Sequence, residues 1–578
     1  IMYFIVSLFI LLDIQYEHSK VSPQLLYRYN SPSFLPSMVY RLLLIMILSL
    51  FLLPLGGCFD SDINRSMYEA DGDEMQRENH IVGATLKGMQ GLVIPTREHL
   101  YQFMDAMAGG AYGGYLEGIV DTWVMKFSTF NPEQGWLKSP FADPIKDMYP
   151  QYRDMMNKTD DPVALAFGKI LRVCIMHRVT DIYGPIPYSK MMDNDNSGED
   201  LAVPYDSQEQ VYTQMLKELE EADKVLEENK DLSSEAFRKL EDLYYGNISK
   251  WRKFVHSMQL RIAMRMSYVN PTEAQRIAQK AVEAGVIESN EDNAMLHVAE
   301  NRSELLFNNW NDYRISADLV SIMKGYEDPR LDKMFVKGVQ TVDQDGEKVD
   351  VYDYYGVRIG IFTQKKDDMI NLYSKQVISS TDPYLWMNAA EVTFLRAEGA
   401  LRGWNMGGDA QALYEKAIAL SFEERGGATG ADQYVKDATK KPIDYVNPMD
   451  GADIKYSHPA VSTITIAWEP GAEYFERNLE RIITQKWIAI FPLGLEAWAE
   501  HRRTGYPKLL PAVENKDPNN SVNVTIGPRR LPFPADEYTG NPKYIDQAVE
   551  MLNGPDAAGT KLWWDKKDHS IENSQSSN

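Results

Sequence analysis

The sequence predicts a mainly α-helical protein assembled from paired helices, with long loop-rich insertions and minor β-hairpins. Three observations lead there. Apolar residues recur at helical spacing, neighbouring helical stretches are joined by short glycine-bearing turns, and segments too long to be ordinary connections separate the pairs. Tyr212, Met215, Leu216, Leu219, Ala222, Val225 and Leu226 form one such face, with Glu, Lys and Asp between them. Trp251 to Met266 repeats the pattern through Phe254, Val255, Met258 and Ile262. Asn270-Pro271 supplies a cap and a first-turn proline for a helix from Thr272 to Ala284, which stops at Gly285. Ala389–Leu401 and Asp409–Leu420 flank a turn containing Gly403, Gly407 and Gly408, which reads as a helical hairpin with Asp409 capping its second helix. Antiparallel pairs of this length are the unit of tetratricopeptide-like arrays, although no clean repeat of about 34 residues is visible. The segments 127–162, 189–206, 287–315, 422–470 and 515–560 are rich in Gly, Pro, Asn and Asp and read as functional loops. Lys348-Val349-Asp350-Val351-Tyr352, following Asp345-Gly346, predicts a small hairpin.

Composition narrows the function. The 578 residues carry a net charge of −23, which excludes binding to phosphate backbones, and two cysteines exclude a disulfide scaffold. The chain opens on Ile1, and a second apolar run begins at Met38. From Met38 the order is a short basic region with Arg41, an apolar core from Leu42 to Leu55, and small residues before Cys58. That core is too short to span about 30 Å of hydrocarbon comfortably, so it reads as an export signal. Met38 is therefore expected to be the true start, with 1–37 upstream of it, 38–57 a signal peptide and 58–578 one mature domain. Leu55-Gly56-Gly57-Cys58 resembles a bacterial lipobox, which makes Cys58 the expected lipidated N-terminus. Asp60 and Asp62 resemble the surface-export signal of lipoproteins in Bacteroidetes-type bacteria.

Val179-Thr180-Asp181-Ile182-Tyr183-Gly184-Pro185-Ile186-Pro187-Tyr188 resembles the helix-ending motif of the SusD/RagB family of nutrient-binding outer-membrane lipoproteins. Further signatures follow in order: WRKFVHSMQLRIAMRMS (251–267), DPRL (328–331), EVTFLRAEGALRGWNMGGDAQALYEKAI (391–418), QKWIAIFPLGLEAWAEHRRTGYP (485–507), RRLPFP (529–534) and LWWDKK (562–567). The resemblance implies a tetratricopeptide-like scaffold and a glycan or peptide as cargo. It also implies a SusC-like TonB-dependent barrel transporter as partner, over which the lipoprotein closes as a lid at the cell surface. The motifs also have a plain reading as fold-specifying positions. Pro185 and Pro187 force an extended exit from a helix, and Gly505-Tyr506-Pro507 stops another.

The sequence carries no His-Glu-x-x-His, Gly-x-Ser-x-Gly, phosphate-loop or dinucleotide motif, so neither catalytic residues nor a cofactor are expected. Cys174 and His177 are spaced as a nucleophile and base, but Cys174 continues the apolar stripe of Phe167, Ile170 and Leu171 and reads as a buried thiol. Asp193-x-Asp195-x-Ser197-Gly198 copies half a calcium loop yet has Pro204 where a bidentate Glu is needed, and Asp343-x-Asp345-Gly346 fails similarly. Both read as solvated acidic loops.

Cargo binding is expected of aromatic residues, because sugar rings present apolar C–H faces and peptides present side chains. One cluster is Tyr112, Tyr115, Trp123, Phe127, Phe130 and Trp136, interleaved with Asp121, Asn131, Glu133 and Gln134. A second is Trp310 and Tyr313 among Asn308, Asn309, Asn311 and Asp312. Tyr112, Tyr115, Trp123, Trp136, Trp310 and Tyr313 are the expected ligand contacts, although aromatics in long loops also serve to pin them. Two rivals remain at this stage: a surface glycan-degrading enzyme and a structural adaptor without cargo.

Overall fold

A computed structural model describes residues 80–193, 202–230, 241–363, 365–426, 429–451 and 455–568, all within the unit Met75–Asn578. Cys58, the residues preceding it and most of the 193–198 loop lie outside the described residues. The principal helices are α1 (His80–Val93), α2 (Gln134–Lys158), α3 (Pro162–Tyr183), α4 (Gln208–Glu228), α5 (Ile248–Arg265), α6 (Pro271–Ala284), α7 (Ala389–Leu401), α8 (Ala410–Glu424), α9 (Phe475–Ala489) and α10 (Gly494–Thr504). They pack as successive pairs, α3 with α4, α5 with α6 and α7 with α8, while α9 lies against α7 and α8. Among the described residues no helix is long and apolar enough to cross a membrane.

Local chemistry accounts for most of these boundaries. Ser207 and Gln210 close a capping box at the start of α4. Asn270 accepts from Glu273 N to open α6, and Gly285 ends it. Asp409 caps α8 through Ala412 N, as the sequence predicts. Asp345 and Gly346 both take positive φ in the turn between β5 (Gly338–Gln344) and β6 (Glu347–Asp353), the geometry of a two-residue hairpin loop.

The predicted loop at 127–162 is wrong. It contains α2, a helix of 25 residues with Pro140, Pro144 and Pro150 inside it. An interior proline removes a helix hydrogen bond and costs roughly 3 kcal/mol, so the sequence argues against helix here. Tertiary packing reverses the balance: Pro140, Phe141, Pro144, Met148, Tyr149, Tyr152 and Met155 are buried, and α2 packs on α1 and α3. The expected loop at 515–560 likewise holds two short helices, Ala535–Gly540 and Pro542–Met551.

Where α3, α5, α7, α9 and α10 converge, the core is ionic. Arg265, fully buried, donates from Nη2 to Glu496 (2.6 Å) and from Nε to Asp181 (3.2 Å), and its Nη1 reaches Glu500. Arg503 joins Glu398 and Glu500 at 2.6 Å each, and Arg261 forks onto Glu391 at 2.8 and 2.7 Å. Lys486 stands 3.4 Å from Glu496 and 3.6 Å from Glu500, and Arg402 covers Glu398 at 2.8 Å. Trp564 closes one side, donating from Nε1 to Asp181 (3.1 Å) beneath the Arg502 guanidinium. Every one of these charges belongs to a sequence motif quoted above, which explains why those motifs mark the fold. Burying so many charges is tolerable only because each faces an opposite one with good hydrogen-bond geometry.

Candidate functional site

The site begins with a close helix approach. Glu98–Tyr101, Gln102–Gly109 and Gly110–Tyr112 follow one another as a helical stretch whose middle is π-helical. A β-carbon at Gly109 would lie 2.6 Å from Leu495 N, and one at Gly113 would lie 2.6 Å from Gly494 O. The glycine-rich run at 109–114 is thus a packing surface against the start of α10.

Past Gly114 the chain forms β1 (Leu116–Gly118), which pairs antiparallel with β3 (Tyr313–Ile315). This ribbon brings the two aromatic clusters of the sequence together. The ring of Trp123 lies 5.9 Å from Tyr313 and 5.4 Å edge-on from Trp136, and Phe103 stacks on Trp136 at 6.1 Å. One helical turn before Phe103, the exposed His99 stacks on Trp310 at 5.4 Å. Trp123, Trp136, Trp310 and Phe103 are all half-buried, each with one part packed and another reaching solvent.

The three tyrosines expected as ligand contacts are core residues instead. Tyr115 is fully buried, hydrogen-bonded to the Trp487 carbonyl and packed on Trp487 and Phe491. Tyr112 packs on Trp498, Phe127 and Phe130, and Tyr313 is fully buried behind Trp123. Burial drives all three phenols upward from their ordinary range, so they remain neutral. Aromatic density in the sequence does not separate a ring that pins a loop from one that faces outward.

A buried ion pair fixes the loop that carries Trp123. Lys126 Nζ donates to Glu117 Oε1 (2.7 Å) and to the Ile361 carbonyl (2.9 Å), and Glu117 also accepts from Ser128 and Gly360 N. This clamp leaves Val124 and Met125 exposed on the loop, with Phe362 exposed beside the clamp on the neighbouring segment. The second cluster is held similarly, with Lys366 Nζ donating to the Trp310 carbonyl and to Asp312, both at 2.7 Å. Asn308 and Asn311 spend their amides on internal hydrogen bonds, whereas Asn309, Asp121, Glu133 and Gln134 are exposed around the rings. Flat apolar faces among polar groups can stack on rings and bond to hydroxyls. His99, Phe103 and Phe362 escape the sequence reading because they lie outside the two aromatic clusters, and Met125, inside the first, because it is not aromatic; only the four-residue spacing of His99 and Phe103 hints at a shared helical face.

Cys174 and His177 line a separate internal cavity of about 40 Å³ with Asp105, Arg178 and Trp386. Burial pushes the Cys174 thiol up to about 12, and burial also lowers His177, so the thiol stays protonated at neutral pH. Asp343 accepts from Gly346 N at 2.8 Å and so stabilises the hairpin turn.

Residues 62–565 match the family described as SusD-like: SusD and RagB outer membrane lipoprotein. The chain belongs to that family. A SusD homologue from Bacteroides thetaiotaomicron is 51% identical, with a TM-score of 0.79, over 84% of this chain and 99% of its own. One from Bacteroides ovatus is 37% identical, with a TM-score of 0.78 over the same shares. A chitin-binding SusD homologue from Flavobacterium johnsoniae is 36% identical, with a TM-score of 0.76, again over 84% and 99%. Nothing among curated proteins matches. The helical pairs are therefore the tetratricopeptide-like scaffold of the SusD-like fold.

Proposed function

We propose that this SusD-like chain is a surface-exposed lipoprotein, anchored through Cys58, that captures an oligomeric glycan and delivers it to a TonB-dependent barrel. The observation that carries this reading is the aromatic face in which Trp123, on the loop after β1, meets Trp136 and Tyr313, with His99 stacked on Trp310 three residues before β3. Half-buried rings among exposed carboxamides and carboxylates suit the alternating apolar and hydroxylated surfaces of a sugar chain. Chitin binding by a relative of 36% identity makes N-acetylglucosamine oligomers the first probe, ahead of peptides. The role is capture and hand-over, with energy supplied through the barrel.

The test pairs affinity with stability. Trp123→Ala and Trp310→Ala each weaken oligosaccharide binding by about 1–3 kcal/mol while the melting temperature hardly moves. Two variants that melt early yet bind normally would show that both rings only anchor loops. For the anchor, Cys58→Ser abolishes labelling by a fatty-acid analogue and frees the protein from the membrane fraction; label retained in the variant refutes lipidation there. For the partner, gentle detergent extraction of native membranes recovers the chain with a large barrel, and recovery of the chain alone refutes the lid arrangement.

A further inference from the structure

Two surface cavities meet at Trp563. One, of about 260 Å³, is lined by Gly184, Pro185, Gln208 and the 551–566 segment; the other, of about 230 Å³, runs between α4, α5 and the start of α6. Trp563 and Glu209 line both, and none of the rings of the Trp123 site lines either. Each volume is small, but joined they fall within the range of roughly 300–1,000 Å³ typical of ligand clefts.

We propose that the joined cavities form a second saccharide groove, with Trp563 as the platform under a neutral sugar ring. Trp563 is half-exposed; its backbone N–H is tied to Gln208 Oε1 (3.1 Å) and its ring is braced edge-on by Tyr212 at 5.7 Å. Its indole N–H has no hydrogen-bond partner among the described residues. Gln259, on the wall, is half-buried, and among the described residues its carboxamide makes no hydrogen bond. Leu216, Met266 and Ile277 give the groove an apolar floor, and Thr213 and Asn270 add polar edges. A braced ring, an apolar floor and spare amide groups are what a polyhydroxylated ligand needs.

Between α4 and α6 the cations of the groove already face carboxylates. Arg276 is held by Glu273 and Lys280 by Glu220, both at 2.6 Å, and Lys217 faces Glu221 at 3.9 Å. An anion entering that half would compete with carboxylates already in place, whereas hydroxyl groups use the donors and acceptors left over. On the other side the exposed Lys561 gives its ammonium to the Lys567 carbonyl, and Lys566 stands at the rim.

The ligand class rests on the proposed function above; the groove is defined without it. The test uses full-length protein labelled with 5-fluorotryptophan and a panel of soluble neutral oligosaccharides: chitohexaose, maltohexaose, cellohexaose, mannohexaose and xylohexaose. The fluorine resonances of Trp563 and Trp123 are assigned as those lost in Trp563→Phe and Trp123→Phe. The expected result is a saturable shift at Trp563 with at least one sugar. Thr213→Arg, at an exposed helix position that fills the groove and leaves the fold alone, weakens that shift at least tenfold without changing the response at Trp123. A response at Trp123 with Trp563 silent for the whole panel overturns the groove and leaves the proposed function standing. The reverse pattern upholds the groove and removes the Trp123 site. Silence at both overturns both, and a Trp563 response unaffected by Thr213→Arg places the contact elsewhere and overturns the groove.

Discussion

Replacing Arg265 with methionine asks whether the ionic core holds the helices together. The side chain is fully buried and joins Asp181 on α3 to Glu496 and Glu500 on α10. Methionine fills a similar volume, so the change takes a shared cation from three carboxylates without opening a large cavity. Lys486 and Arg503 still compensate Glu496 and Glu500, whereas Asp181 is left with hydrogen bonds from Tyr212 and Trp564 and the His177 ring 3.5 Å away. Removing one partner of a buried ion pair costs about 3–5 kcal/mol, and the surviving partners place this case near 4. Unfolding entropy is about 2.1 cal/mol/K per residue near 60 °C, so the unit Met75–Asn578 melts with roughly 1 kcal/mol/K and loses about 4 °C. Scanning calorimetry at pH 7 reads this directly. Adding Glu500→Gln to Arg265→Met removes one of the three carboxylate charges and is expected to recover part of the loss. A single variant that melts within 1 °C of wild type, or higher, refutes the account.

Three further outcomes are expected. Burial alone would raise Glu398, but Arg503 and Arg402 hold it down at about 2, and Glu496 and Glu500 are lowered by their cationic neighbours as well. These depressed folded values give stability that is present above the unfolded value near 4.5 and lost as pH falls towards 2; a denaturation midpoint unchanged from pH 7 to pH 3 rules this out. A β-carbon at Gly118 would lie 2.9 Å from Cζ3 of Trp123, so Gly118→Ala displaces that ring by roughly half an ångström to reach ordinary contact. Glycan affinity falls severalfold while stability stays within about 1 kcal/mol, and unchanged affinity would separate the ring's position from binding. In a Cys58→Ser background, Cys174 resists Ellman's reagent until the chain is unfolded in guanidinium, because it is buried and protonated; rapid native reaction contradicts that placement.

The helical pairs are legible because their signals are local: the apolar face of α4, Asn270-Pro271 before α6, and Asp409 before α8 each act within a few turns. The α2 helix is not, since its three prolines speak against helix locally and only contact with α1 and α3 overrides them. The same limit governs the candidate site. The sequence groups Trp123 with Trp136 and Trp310 with Tyr313 as two separate clusters; the contact between them depends on β1 finding β3. Whether a tyrosine faces in or out is decided by partners such as Trp487 and Trp498, hundreds of residues away. The charges of the core motifs were visible singly, but their meeting is a property of the fold.

The β1–β3 ribbon also sets a sequence of events during biogenesis. Glu117 lies opposite Arg314, so the seat of Trp123 exists only after nearly two hundred intervening residues have been made and folded. A nascent or translocating chain that ends before Tyr313 carries Trp123 and Trp136 but lacks the strand that anchors them. Under the proposed function, competence to bind sugar is thereby tied to completion of the body.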